Sequence, residues 1–166
     1  MTKLFYKYLK LTPVFILIQI LVLNQILFFG YMNPFLYIIL ILSLPIGTSK
    51  WFLLLYSFVI GFIIDIFSTS LGFHSTACVL IAFIKPYISK ITIPQNILGY
   101  MDEINMWKIG VKPYILYSLI IILIHHALLF IIENASFNIH VLQKIIFSTI
   151  MTLIILLIVQ LANKKT

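Results

Sequence analysis

Six apolar stretches, each long enough or nearly long enough to cross a bilayer, divide this chain, at about residues 11–29, 33–47, 51–67, 71–84, 113–132 and 139–162. The first runs from Leu11 to Phe29 with Pro13 in its first turn, where a missing N–H costs little. Asn33-Pro34 opens the second, which ends near Pro45-Ile46-Gly47. At about fourteen residues it reaches only ~20 Å, short of a hydrocarbon core of ~30 Å. It must therefore be shielded by neighbours or sit where the membrane is thinned. Only Ser68-Thr69-Ser70 joins the third and fourth stretches, which predicts a tight antiparallel hairpin. The longest connection, residues 86–112, places Ile97, Leu98, Met101, Ile104 and Trp107 at spacings of one, three, three and three. That spacing predicts a short helix lying on the membrane surface, with Tyr100 and Trp107 as anchors; an irregular linker is the alternative.

The polar gaps orient the chain. All of the cationic residues are lysines, eleven in number, and ten of them fall in alternate gaps. Lys3, Lys7 and Lys10 precede the first stretch, Lys50 follows the second, Lys85, Lys90, Lys108 and Lys112 follow the fourth, and Lys164 and Lys165 follow the last. The gaps at 31–33, 68–70 and 134–140 hold none. Lysine and arginine excess marks the cytoplasmic side, so six crossings with both ends in the cytoplasm are expected. The start of the chain imitates a signal peptide, but its long run lacks a small-residue cleavage site and is read as a retained first helix.

Composition agrees. A hydrophobic content of 63% with a mean hydropathy of +1.17 excludes a soluble domain. The net charge of +7 then meets anionic lipid rather than nucleic acid. Cys78 is the only cysteine, so no internal disulfide forms. One six-helix domain accounts for residues 1–166.

Polar residues inside a membrane ask for a partner or a purpose. Counting from the lysine-rich ends, Asp65 and His125 lie roughly 20 Å deep, with Asn24 and Gln25 at similar height. His74 and Lys144 sit nearer the outer face. Asp65 pairs with His74 or Lys144, or else caps the Ser68–Ser70 turn, and such groups hold helices in register. A ligand pocket, an ion path or a partner-recognition surface is the alternative use of the same layer. Lys144 calls for an anion, with Asp65 and Glu133 the available carboxylates. Ser57, Gly61 and Asp65 share a face at spacings of four, and small residues so placed let helices approach closely in lipid. Gly72, Ser75, Thr76 and Ala82 are their counterparts in the fourth stretch. His125 and His126 project about 100° apart, and His126 shares a face with Glu133. Neither this pair nor His74 with Cys78 supplies the three or four ligands of a metal site.

Catalytic signatures are missing. The chain has no His-Glu-x-x-His, no Gly-x-Ser-x-Gly, no paired aspartates and no Gly-rich phosphate loop. With four acidic residues and no arginine, neither catalysis nor a cofactor is expected.

The run Gly61-Phe62-Ile63-Ile64-Asp65-Ile66-Phe67-Ser68-Thr69-Ser70-Leu71-Gly72-Phe73-His74 resembles the segment shared by the MreD family, the rod shape-determining membrane proteins of bacteria. Ala82-Phe83-Ile84-Lys85-Pro86-Tyr87 and His125-His126 with Phe130 and Glu133 are similar to the Bacteroidetes type of that family. Ser70 stands where a proline is frequent, and Lys85 where an arginine is frequent. The resemblance implies a non-catalytic inner-membrane component of the peptidoglycan elongation machinery. Its implied partners are an MreC-like bitopic scaffold and the RodA–class B penicillin-binding protein complex, with MreB acting indirectly. The implied fold resembles the substrate-binding subunits of energy-coupling-factor transporters. A vitamin-binding transport subunit is the alternative function, although residues 11–29 contain no alanine or glycine and so lack the Ala-x-x-x-Ala docking motif such subunits carry.

Overall fold

A computed structural model describes residues 2–26, 33–98 and 103–163. Within them the chain is all-helical. The long helices are α1 (Thr2–Leu21, continued by a 3₁₀ turn at Leu23–Gln25), α3 (Lys50–Ser68), α4 (Phe73–Thr92), α7 (Val111–Asn134) and α8 (Ile139–Ala162). Three short helices intervene: α2 (Ile38–Ser43), α5 (Gln95–Leu98) and α6 (Met106–Ile109). Four of the described segments are long and apolar enough to cross a membrane, namely Tyr6–Gln25, α3, α7 and α8. At 24 residues, α7 and α8 are each about 36 Å long.

Local chemistry sets the helix ends. Ser49 accepts a hydrogen bond from the Phe52 N–H and starts α3, and Asn138 does the same for α8 through Val141 at 2.9 Å. Thr69 ends α3 in the left-handed conformation at φ 53°. Gly72 follows at φ 87°, a backbone state that glycine adopts without steric cost. Together they turn the chain through the α3–α4 hairpin, the most extensive helix–helix contact in the bundle.

Three elements differ from the sequence expectation. The fourth stretch does not stop before Pro86, because α4 continues through it to Thr92. Proline removes one backbone donor, and membrane helices tolerate that when neighbouring groups re-satisfy the freed carbonyls; α4 nonetheless carries Lys85 and Lys90 in its second half. The surface segment is not one helix: α5 ends at Leu98 and α6 begins at Met106, with Tyr100, Met101 and Asp102 outside the described residues. Ile104, Met106 and Ile109 are buried, so this end of the chain folds onto the bundle. Residues 27–32, which include the end of the first stretch, and Lys164 and Lys165 also lie outside the described residues.

The second stretch differs most. Only six of its residues are helical, and every side chain from Phe35 to Leu44 is buried. Non-helical backbone cannot face hydrocarbon, because its N–H and C=O groups would have no partners there. It must lie inside protein, and side chains of the surrounding helices must complete it.

That completion occurs at both ends of α2. Where the backbone enters, Gln19 of α1 accepts from the Leu36 N–H at 2.7 Å and donates to the Pro34 carbonyl at 3.0 Å. From α8, Thr152 accepts from the Phe35 N–H at 3.0 Å and Ser148 from the Asn33 N–H at 3.1 Å. Where it leaves, Lys85 of α4 donates to the carbonyls of Ile41 at 2.9 Å and Leu44 at 2.7 Å. Tyr117 of α7 donates to Leu42 at 3.0 Å. Lys85, expected in a cytoplasmic gap, is thus 2% exposed within the bundle. A cation is favourable against the free carbonyls of a helix C-terminus, and no carboxylate pairs with it among the described residues.

Candidate functional site

The polar groups at the hairpin end form two clusters joined by aromatic rings. The first centres on Asp65, near the end of α3. Its carboxylate accepts from the backbone N–H groups of His74 at 3.0 Å and Ser75 at 2.9 Å. It also accepts from the hydroxyls of Ser70, at 2.5 Å, and Ser75. Asp65 is therefore an N-terminal cap for α4 supplied from a different helix, satisfying donors that helix geometry leaves unpaired. Its negative charge lies where the α4 dipole favours it. Of the partners open to it on sequence grounds, the turn is the one it takes; neither the His74 ring nor Lys144 bonds it.

Gly61 makes this possible. A Cβ at Gly61 would lie 2.5 Å from the Ser75 Cα and 2.7 Å from the His74 carbonyl oxygen, both backbone atoms. Glycine lets α3 and α4 approach until Asp65 reaches the α4 amides. Gly72, by contrast, has open space around its missing Cβ and serves through its conformation alone.

The second cluster is built on α2, α4 and α7. The Tyr37 hydroxyl lies 2.8 Å from His74 Nδ1 and 3.1 Å from His125 Nε2. One hydroxyl donates once, so it donates to one ring and accepts from the other. We assign Tyr37 as donor to His74 and His125 Nε2–H as donor to Tyr37. This leaves His125 Nδ1, which has no partner, as a bare acceptor rather than the costlier unpaired N–H. His126 turns away. Its Nδ1 donates to the Ile122 carbonyl at 2.8 Å and its Nε2 accepts from Thr152 at 3.3 Å. A single directional chain results, from Phe35 N–H to Thr152 to His126 to Ile122. The Phe35 ring lies among all three imidazoles, with centroids 5.2 Å from His74, 5.8 Å from His125 and 5.2 Å from His126.

Glu133 does not pair with His126. It bonds Lys144 at 3.1 Å across the α7–α8 connection, and the Lys144 ammonium also lies 4.6 Å from the Phe130 ring centroid. Lys144 and Glu133 border a cavity of about 380 Å³ at this end, together with His74, Phe35, Asn24 and Asn33. Asn24 bridges Gln19 and Ser68 at 2.8 and 3.0 Å, tying α1 to the hairpin. The Asn33 Oδ1 has no hydrogen-bond partner.

Cys78 sits 4.0 Å from His125 Nε2, and no group of three or more His, Cys, Asp or Glu converges among the described residues. Gln19, Phe35, Tyr37, Tyr117 and Thr152 were not singled out by sequence. Gln19 carried a signal, being the lone polar residue between Pro13 and Asn24. Lys85 carried a misleading one, since a lysine before a proline reads as the edge of a span. No protein-family model matches the sequence, and comparison with curated proteins and with solved structures finds no match.

Proposed function

We propose that this chain is a six-pass, non-catalytic scaffold of the bacterial inner membrane, of MreD type. In this reading both ends are cytoplasmic and α2 is the shielded second crossing. The protein gathers an MreC-like bitopic protein with the RodA–class B penicillin-binding protein complex, and MreB indirectly. One observation carries the reading. The residues on which the resemblance rests are used by the fold itself: Gly61 brings the hairpin helices together, Asp65 caps α4 and Gly72 turns the chain. A hairpin locked in this way is a rigid element on which another span can pack.

A second reading, a small-molecule-binding transport subunit, is favoured by the cavity of about 380 Å³ and the unpartnered Asn33 Oδ1 beside it.

Affinity capture from native membranes in mild detergent separates the two. The scaffold reading expects an MreC-like protein and cell-wall synthases to be recovered, with Gly61→Leu abolishing recovery. Recovery of an ATPase pair with a stoichiometric small molecule refutes it and assigns the cavity to transport.

A further inference from the structure

At the opposite end of the bundle, α1, α2, α6 and α8 enclose a cleft of about 540 Å³. Helices α1 and α8 share no substantial packing, so the cleft opens between them. Its walls change character along one direction. On α1, Lys7 gives way to Leu11 and then Phe15, one stripe at spacings of four spanning about 12 Å. On α8, Asn163 lies one turn beyond Val159 and Gln160, and the floor is Ile39, Leu40 and Ser43 of α2. A polar mouth above an interior in which Leu11, Phe15, Ile39, Leu40 and Val159 flank Ser43 and Gln160, open sideways at a helix end, suits an amphiphile.

The charges select its sign. Lys7 is neutralised by Glu103 at 2.9 Å. Lys108, at the mouth, is exposed, and its ammonium makes no ion pair among the described residues. The mouth therefore holds donors and uncompensated positive charge, which suit a phosphate, while the interior suits the first part of an acyl chain.

We propose that this cleft binds one anionic phospholipid, its phosphate at Lys108 and Asn163 and its chain between α1 and α8. The proposal needs only that the chain lies in a membrane; it is independent of which partner the hairpin holds. Basic recesses between helices at the membrane surface recognise lipid headgroups in this way.

Trp107 reports on the site, since it lines the cleft and its indole N–H donates to the Gln160 carbonyl at 2.9 Å. Trp51, the other tryptophan, on the first turn of α3, lines a separate groove between α3 and α4 and is 85% exposed. The Trp51→Phe protein is reconstituted in phosphatidylcholine bilayers containing a minor fraction of chain-brominated phosphatidylglycerol or, separately, chain-brominated phosphatidylcholine. Trp107 should report roughly a fivefold preference for the anionic lipid, the amount one unpaired lysine supplies at a membrane surface. Lys108→Gln should bring that preference close to unity. In Trp107→Phe combined with Lys50→Gln, which removes the lysine beside Trp51 in its own groove, Trp51 should show none. Equal preference at both tryptophans would mean a general electrostatic annulus and overturns the site. Absence of quenching at Trp107 by either lipid means that the cleft is filled by protein, and overturns it too. Loss of the preference on adding inorganic phosphate assigns the mouth to a soluble anion instead of a lipid. Native mass spectrometry of the unsubstituted protein, expecting one retained phosphatidylglycerol, tests the same claim without any substitution.

Discussion

The α3–α4 contact predicts a specific energetic coupling between Gly61 and Asp65. In Gly61→Ala the added methyl would meet the Ser75 Cα at 2.5 Å and the His74 oxygen at 2.7 Å. Because both are backbone atoms, α4 itself must move, by somewhat under 1 Å to restore ordinary van der Waals contact. Asp65 is fixed to α3, so the same movement stretches its bonds to the His74 and Ser75 amides from 3.0 and 2.9 Å to the edge of hydrogen-bonding range. Overpacking alone costs about 1–3 kcal/mol, and weakened charge-assisted bonds raise the expected loss to roughly 2–4 kcal/mol. Asp65→Ala orphans two buried amides at about 1–3 kcal/mol each and removes the anion at the α4 N-terminus, worth about 0.3–1 kcal/mol, for a total of roughly 2–7 kcal/mol. Once α4 has been displaced, Asp65 has less left to contribute, so the double variant should fall short of additivity by at least ~1 kcal/mol. Reversible unfolding in mixed detergent–SDS micelles, followed by circular dichroism, measures all four corners of the cycle. Additive losses, or a neutral Gly61→Ala, would refute the claim that glycine is there to bring Asp65 to α4.

Three further outcomes follow from the same contacts. Tyr37→Phe removes the hydroxyl shared by His74 and His125 and should cost about 1–3 kcal/mol in the same assay; imidazole NMR should show both rings shifting together, and a change confined to one ring contradicts the shared hydrogen bond. Lys144→Ala removes a partly exposed ion pair with Glu133 and should cost under ~1 kcal/mol, so a larger loss would assign that pair a structural role beyond its charge. Lys85→Met leaves the Ile41 and Leu44 carbonyls without their donor, while relieving the lysine of a desolvated charge. Those effects oppose, so a net loss of only about 1–3 kcal/mol is expected, whereas Lys85→Glu turns a negative charge toward carbonyl oxygens and should prevent folding, as read by loss of the monodisperse peak on size-exclusion chromatography.

Hydrophobic runs locate continuous helices well and broken ones poorly, and residues 33–47 show why. At the starts of α3 and α8 the polar gaps coincide with the capping groups Ser49 and Asn138, so the pattern and the hydrogen bonding begin each helix at nearly the same place. In the second stretch every residue from Phe35 to Leu42 is apolar or aromatic, yet only Ile38–Ser43 is helical. The break is written in other segments, in Gln19, Lys85, Tyr117, Ser148 and Thr152, and a one-dimensional pattern does not connect them. Pro86 misleads for a different reason: proline removes one donor and crowds the preceding turn, which weakens a helix without always ending it, and α4 runs through it to Thr92. At the candidate site, the spacing of Ser57, Gly61 and Asp65 was enough to anticipate a close helix contact. Tyr37 as the hydroxyl between two histidines was not foreseeable, since nothing in a buried apolar run marks one tyrosine as polar in use.

The polar residues within the bundle therefore sort by what they complete. Asp65, Gln19, Ser148, Thr152, Lys85 and Tyr117 bond backbone groups that a broken or closely turned chain leaves unpaired. Because hydrocarbon offers those groups nothing, each such side chain is required by the backbone's shape, and its presence argues for no ligand. Function is better sought in groups with capacity to spare. Asn33 Oδ1 and His125 Nδ1 are buried acceptors without partners. Asn33 borders the hairpin-end cavity, whereas His125 is enclosed behind Phe35 and Tyr37. A donor entering that cavity thus meets Asn33 first, and its access to His125 depends on displacing the Phe35 ring. The Phe35 N–H to Thr152 fixes the backbone from which that ring projects, so the segment that breaks the second helix also sets the ring beside both the cavity and His125.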